Sequence, residues 1–196
     1  MAFTTVPTYV TNQLITAAHA NSYWRDNLNV LFPHTAIGDI AYADSTSTLA
    51  ALAIGNTGHV IKSTGSAPVW DAIERIFPVR VLPKTALINV ADGAESIYIP
   101  PELNGCNLVG VAAIVDVVSS SGTPTVQIRN VTDAVDMLST PITIDEGERN
   151  SYTAAAQPVI DTAHDDVATG DEIAIDIDVA GTGTKGLTVY LRFELP

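Results

Sequence analysis

The chain has 196 residues, 46% of them hydrophobic and 16% charged, a balance that suits a folded protein and excludes a disordered one. Its formal net charge of −13 repels phosphate backbones and anionic bilayers, which excludes nucleic acid and membrane surfaces as partners. The single cysteine, Cys106, excludes an intrachain disulfide and a cysteine-based zinc cage, and reads as a packed small residue in the polar segment ELNGCNL.

This length predicts one domain of about 100–150 residues with an accessory segment. Helix-favouring Lys, Glu and Arg are scarce while Thr, Val, Ile, Gly and Asp are plentiful, so β structure is expected. The charge is uneven: residues 1–75 hold 3 Lys/Arg against 5 Asp/Glu, and residues 76–196 hold 6 against 17, a net −11. Keeping a lysine-poor β protein in solution accounts for that excess; calcium binding or control of self-assembly are the alternatives. No run approaches about 18 apolar residues and no basic-then-apolar signal opens the chain, so synthesis in a cytoplasm is expected.

Three parts are predicted along the chain: residues 1–35, 36–77 and 78–196. Residues 1–14, with Pro7 amid Thr and Val, read as an extended arm. Thr16 is placed to cap a helix in which Ala17, Ala20, Trp24, Leu28 and Leu31 recur at spacings of three and four, forming one apolar stripe that Pro33 terminates. A helix of about 15 residues is marginal alone in water, so the stripe needs a partner surface, either its own domain or another subunit.

From Gly38 to Trp70 the chain breaks into hairpin-sized pieces with turn chemistry at Gly55, Asn56, Gly58, Gly65 and Pro68. Such short apolar pieces bury little surface alone. Asp71 to Phe77 reads as a connector or a single helical turn.

Beyond Pro78 the pattern is strand after strand, at 79–90, 95–99, 108–118, 124–130, 136–144, 157–162, 172–180 and 186–195, with turn signals between them that include Asp92-Gly93 and Gly181 to Gly186. Leu187, Val189, Leu191 and Phe193 alternate with Thr188, Tyr190, Arg192 and Glu194; Ile173, Ile175 and Ile177 alternate with Ala174, Asp176 and Asp178. Asp176, Asp178, Arg192 and Glu194 are therefore expected on wet faces. Val109 to Val118 is apolar on both faces and is expected at a sheet centre or under a subunit contact. The fold class expected is mainly β: a short N-terminal arm and helix, a hairpin-rich linker module, and a C-terminal antiparallel β-sandwich of jelly-roll type.

Chemistry is sparse. His19, His34, His59 and His164 show no metal-ligand spacing. The acidic loop Asp161 to Asp166 makes Asp161, Asp165 and Asp166 weak calcium candidates, although it lacks the alternating Asp-x-Asp-x-Asp-Gly order of a dedicated site. GTGTKG (Gly181 to Gly186) has its lysine before the glycine and a strand after it, so it reads as a hairpin turn and not a phosphate loop. No nucleophile elbow or Cys–His pairing appears, so neither catalysis nor a cofactor is expected.

Two segments carry a resemblance. ITAAHANSYWRDNL (Ile15 to Leu28) is similar to a motif near the start of tailed-phage fibre and minor structural proteins, matched at Thr16, Ala17, Ala18, Asn21, Arg25, Asp26 and Asn27. The following run resembles phage fibre modules at Gly38, Asp39, Ile40, Tyr42, Ala43, Asp44, Leu49, Leu52, Ile54, Gly55, Gly58, Val60, Gly65, Pro68 and Trp70. The resemblance implies a homotrimeric virion component: an N-terminal part attached to the particle, an interwound middle, and an outward β domain; the apolar stripe of Ala17, Ala20, Trp24, Leu28 and Leu31, which lacks a local partner, is the expected attachment surface. Itself and other capsid or tail proteins are the partners it implies, and the virion is its place after synthesis in the host cytoplasm. The alternative is a receptor-binding tip whose sandwich recognises host-surface glycan, for which Tyr98, Tyr152 and Tyr190 are the candidate aromatics.

Overall fold

A computed structural model describes residues 7–46 and 48–196. The protein is mainly β, built as two compact units that meet in sequence between Asp71 and Ala72. The boundary lies ahead of the one expected at 77/78 because Arg75 to Phe77, read as a connector, already belong to a strand.

The first unit begins with chain that is not simply extended. Val10 and Gln13 close a turn, with the Gln13 amide donating to the Val10 carbonyl at 3.1 Å, and Asn12 adopts a left-handed φ of 66°. Residues 1–6 of the expected arm lie outside the described residues. Thr16 caps the helix as its sequence position suggests: its hydroxyl accepts the His19 amide at 3.3 Å. The helical stretch runs as α1 (Ala17–Ala20), a π-type turn (Asn21–Arg25) and α2 (Asp26–Leu31). Within it, the Ser22 hydroxyl donates to the Ala18 carbonyl and the Asn27 amide to the Tyr23 carbonyl, side-chain bonds that compete for helix acceptors. The wider π turn rotates the side chains of α2 about the axis relative to those of α1. Ala17 and Ala20 therefore do not continue the row of Leu28 and Leu31 as a uniform α spacing predicts.

Two antiparallel hairpins come next. One pairs β1 (Ile40–Ala43) with β2 (Leu49–Leu52), the other β3 (Val60–Ser63) with β4 (Pro68–Asp71). Trp70 joins the second hairpin to the chain before it, its indole nitrogen donating to the Ala53 carbonyl at 2.6 Å. Among the described residues of this unit only Val30 is a buried hydrophobic.

The second unit is a jelly-roll-like sandwich. One sheet runs β5 (Arg75–Leu87), β14 (Lys185–Glu194), β7 (Asn107–Val117). The other runs β11 (Ile142–Thr143), β8 (Thr125–Asn130), β13 (Glu172–Val179), β6 (Ala91–Tyr98), with β9 (Val135–Asp136) added to β8. β5, β6, β7 and β8 alternate between the sheets, which wraps both around one core. Leu187, Val189, Leu191 and Phe193 from one sheet meet Val126, Ile128, Ile173, Ile175 and Ile177 from the other, all at most 2% exposed. Phe77 packs edge-on to Phe193, ring centroids 6.1 Å apart. Cys106 is fully buried in this core, as its sequence reading anticipates.

Several sequence expectations need correction. The run 136–144 is not one strand: Pro141 cannot donate to a ladder, and β9, β10 (Leu138–Thr140) and β11 are three short pieces, of which β10 pairs with β12 (Val159–Ile160). Gly181 to Gly186 is not a hairpin turn, since β13 and β14 lie in different sheets and the segment crosses between them. β7 is not central; it ends its three-stranded sheet, and its far side is tied to Arg149 and Ser151, whose backbone exchanges bonds with Val115 and Ala113. Asp92-Gly93 is not a turn between strands but a bulge inside β6.

Candidate functional site

The outer face of the β8–β13–β6 sheet holds an open groove of about 730 Å³, within the range of about 300–1,000 Å³ usual for small-ligand sites. Register explains its floor. Ala174 stands between Arg129 on β8 and Ser96 on β6, a small side chain flanked by longer ones. Glu172, Asp176 and Asp178 occupy the same face of β13, with Asp136 on β9 and Asp92 on β6 at the rim.

Asp176 is the best-fixed member. Ile175 pairs with Glu95 and Ile177 with Ala91, so Asp92, Gly93 and Ala94 together stand opposite the single residue Asp176. Gly93 takes a φ of +60°, a conformation that glycine adopts without strain, and its amide donates to Asp176 Oδ1 at 2.6 Å. The carboxylate thus supplies an acceptor where the bulge has displaced the ladder. Asp176 is in consequence only 8% exposed, and the expectation of an ordinary wet-face residue is wrong for it. Asp178 does stay exposed. Partial burial, then the charges of Asp176, Asp136 and Asp92, hold its carboxyl above the ordinary value of 3.8.

Positive charge in the groove is already committed. Arg129 donates to Asp136 Oδ1 at 3.2 Å and to the Ala134 carbonyl at 3.3 Å. The carboxylates of Asp92, Glu172 and Asp178 have no hydrogen-bond or ion-pair partner among the described residues. Five carboxylates thus line the groove against one guanidinium. Tyr98, the cross-strand partner of Glu172 and so on the same face, is 67% exposed.

The residues singled out from sequence lie elsewhere. Asp161, Asp165 and Asp166 are not gathered into a cation site, and among the described residues no three His, Cys, Asp or Glu side chains are placed to hold a metal ion. Asp161 instead closes its own turn: His164 Nδ1 lies 2.7 Å from Oδ2 and the Ala163 amide donates to Oδ1, which together hold the carboxyl below 3.8. The Asp165 carbonyl accepts the Leu108 amide at 2.7 Å, and partial burial raises its carboxyl. Of the helix residues, Trp24 is 56% exposed, Leu28 54% and Leu31 41%, while Ala17 is exposed and Ala20 half-buried. His19 packs between the rings of Tyr9 and Tyr23, with Nδ1 buried and unpartnered. No helix among the described residues is long and apolar enough to cross a membrane.

The chain matches no protein-family model and no curated protein.

Proposed function

We propose that the chain is a structural component of a tailed-phage virion, a short homotrimeric fibre or decoration element on the capsid or tail surface, without catalysis. The observation that carries this role is the missing core of the first unit. Val10, Leu14, Trp24, Leu28, Phe32, Ile37 and Ile54 are between 54% and 99% exposed there, while Val30 alone among its described hydrophobic residues is buried. Scattered exposed side chains are ordinary, but a unit that leaves most of its large apolar residues exposed, half-buries others such as Leu49, Leu52, Val69 and Trp70, and fully buries only Val30 among the described ones gains its stability from a partner. The resemblance of residues 15–70 to phage fibre segments supplies the kind of partner: further copies of the chain, and the particle to which they attach. Lys62 and Asp71 form an ion pair in this unit, whose net charge is only −2, so copies can approach here with little repulsion. The second unit, at −11 with a complete core, needs no partner to fold and remains in solvent.

Sedimentation equilibrium of the full chain tests the role. A stable assembly of three copies is expected, and a well-folded monomer at micromolar concentration overturns it. Imaging of particles decorated with labelled protein then distinguishes head from tail.

A further inference from the structure

Given three copies joined through the first unit, a premise that rests on the proposed virion role, we propose that their second units pack on one another through the outer face of the β5–β14–β7 sheet, around a common threefold axis. The second unit starts at Ala72, directly after the first ends at Asp71. Joining the first units therefore keeps the second units at an effective concentration of the order of mM for one another. Each carries −11, Glu74 and Arg75 cancelling, and like charges brought together repel. The face turned inward is then the one with the least excess of acid.

Charge is divided between the two sheets. β5, β14 and β7 hold five Lys/Arg against two acids, Asp116 and Glu194. β6, β8, β9, β11 and β13 hold one, Arg129, against six acids. On the outer face of the first sheet the cations are already paired. Arg192 donates to Glu74 Oε1 at 3.3 Å, and Arg80 donates to Asp116 Oδ2 at 2.9 Å and to the Thr188 hydroxyl at 2.7 Å. A copy that covers complete pairs leaves no lone charge buried. Arg192 also lies flat over Gly110, where a Cβ would overlap its guanidinium, so it does not hold a neighbour away.

An apolar row separates the two pairs. Register sets Pro78, Tyr190 and Ala112 side by side across the three strands, with Ile76 beside Arg192 in the next row. These side chains face outward because their chain neighbours Phe77, Val79, Val189 and Leu191 pack in the core. Ile76 is 55% exposed, Pro78 is exposed and Tyr190 half-buried. A tyrosine amid apolar residues, rimmed by paired charges, has the composition of an interface core. Every copy presents the same face, and a head-to-tail contact between identical copies can close into a ring. The carboxylates of the opposite sheet stay in solvent.

The test is cross-linking of the full chain in dilute solution with a short bismaleimide. Cys106 is fully buried and offers no accessible thiol, so the parent chain is the blank. Ile76→Cys is expected to give covalently joined copies, and Asp178→Cys, at an exposed side chain on the opposite sheet, none. Arg80→Glu in the Ile76→Cys chain makes the face acidic and is expected to lower the cross-linked yield about tenfold at low salt, with recovery at high salt. Sedimentation of each variant separates two failures. A monomeric parent overturns the virion role and the packing together. A trimer in which Ile76→Cys does not cross-link, Asp178→Cys cross-links as well, or Arg80→Glu changes nothing overturns the packing and leaves the role standing.

Discussion

The Gly93 amide donates to Asp176 Oδ1 at 2.6 Å, so a side chain on β13 supplies the acceptor that the bulge in β6 has removed from the ladder. Asp176→Ala leaves that amide without its partner beneath the groove and is expected to cost about 1–3 kcal/mol. Asp176→Asn retains a carbonyl oxygen at the same place and should cost under about 1 kcal/mol. Urea denaturation of the three proteins checks the ordering. Equal loss from both substitutions would mean that the negative charge, and not the acceptor, stabilises the bulge.

In the first unit, the Trp70 indole lies against Gly55 so closely that a Cβ there would overlap the ring. The same indole donates to the Ala53 carbonyl at 2.6 Å. Gly55→Ala must displace the ring and its hydrogen bond together, at an expected cost of about 1–3 kcal/mol to the local structure. The readout is Trp70 fluorescence in a Trp24→Phe background, since Trp24 is the other tryptophan and is already solvent-exposed. A red-shifted emission is expected, and an unchanged spectrum would show that the ring has another seat.

The sandwich was legible where burial alone writes the pattern. Leu187, Val189, Leu191 and Phe193 alternate because one face of β14 meets the core, and the sequence states this without reference to other strands. The groove was not legible, for a physical reason. Asp176 sits at an outward position by period two, and only the extra residues of β6, distant in sequence, bury it. The signal available was Gly93, read as a turn glycine although a glycine within a strand also marks a bulge. In the same way, Gly181 to Gly186 has hairpin chemistry, and only the pairing of β13 and β14 with different partners reveals a crossing between sheets. The cap at Thr16 was readable because it is a local bond to His19; the π turn after it, flanked by the Ser22 and Asn27 side-chain bonds to helix carbonyls, leaves no mark in the apolar spacing from which the helix was read.

Stability should depend on pH through Asp178. Its folded carboxyl is held above 3.8 by partial burial and by Asp176, Asp136 and Asp92, so between 3.8 and its raised value the folded chain binds more protons than the unfolded one. Stability contributed by this group is therefore lost as pH rises through that window. Asp161 acts in the opposite sense: its carboxyl lies below 3.8, and its contribution is lost as pH falls below that value. Asp178→Asn should flatten the decline above pH 3.8 and leave the acid limb in place, as measured by thermal unfolding across pH 3 to 7. A variant with the same profile as the parent would show that Asp178 titrates alike in both states.

The turn that joins β8 to β9 carries Ala134 at a φ of +59°, with its amide donating to the Val131 carbonyl at 3.3 Å and its own carbonyl accepting from Arg129. An alanine in this left-handed conformation is strained by about 1–2 kcal/mol, because Cβ crowds the following carbonyl. Glycine removes the strain but gives the unfolded chain more freedom, which offsets about 0.4–1 kcal/mol of the gain. Ala134→Gly is therefore expected to stabilise the fold, by between about 0 and 1.6 kcal/mol. Ala134→Val, whose branched Cβ tolerates a positive φ less well, should destabilise it by at least about 1 kcal/mol. The Ala134 side chain is exposed, so neither substitution disturbs the core and backbone conformation alone is tested. Urea midpoints measured at a common slope should fall in the order Gly, Ala, Val; a valine variant as stable as the parent would show that the turn relaxes to a negative φ in solution, and would release Arg129 from the Ala134 carbonyl.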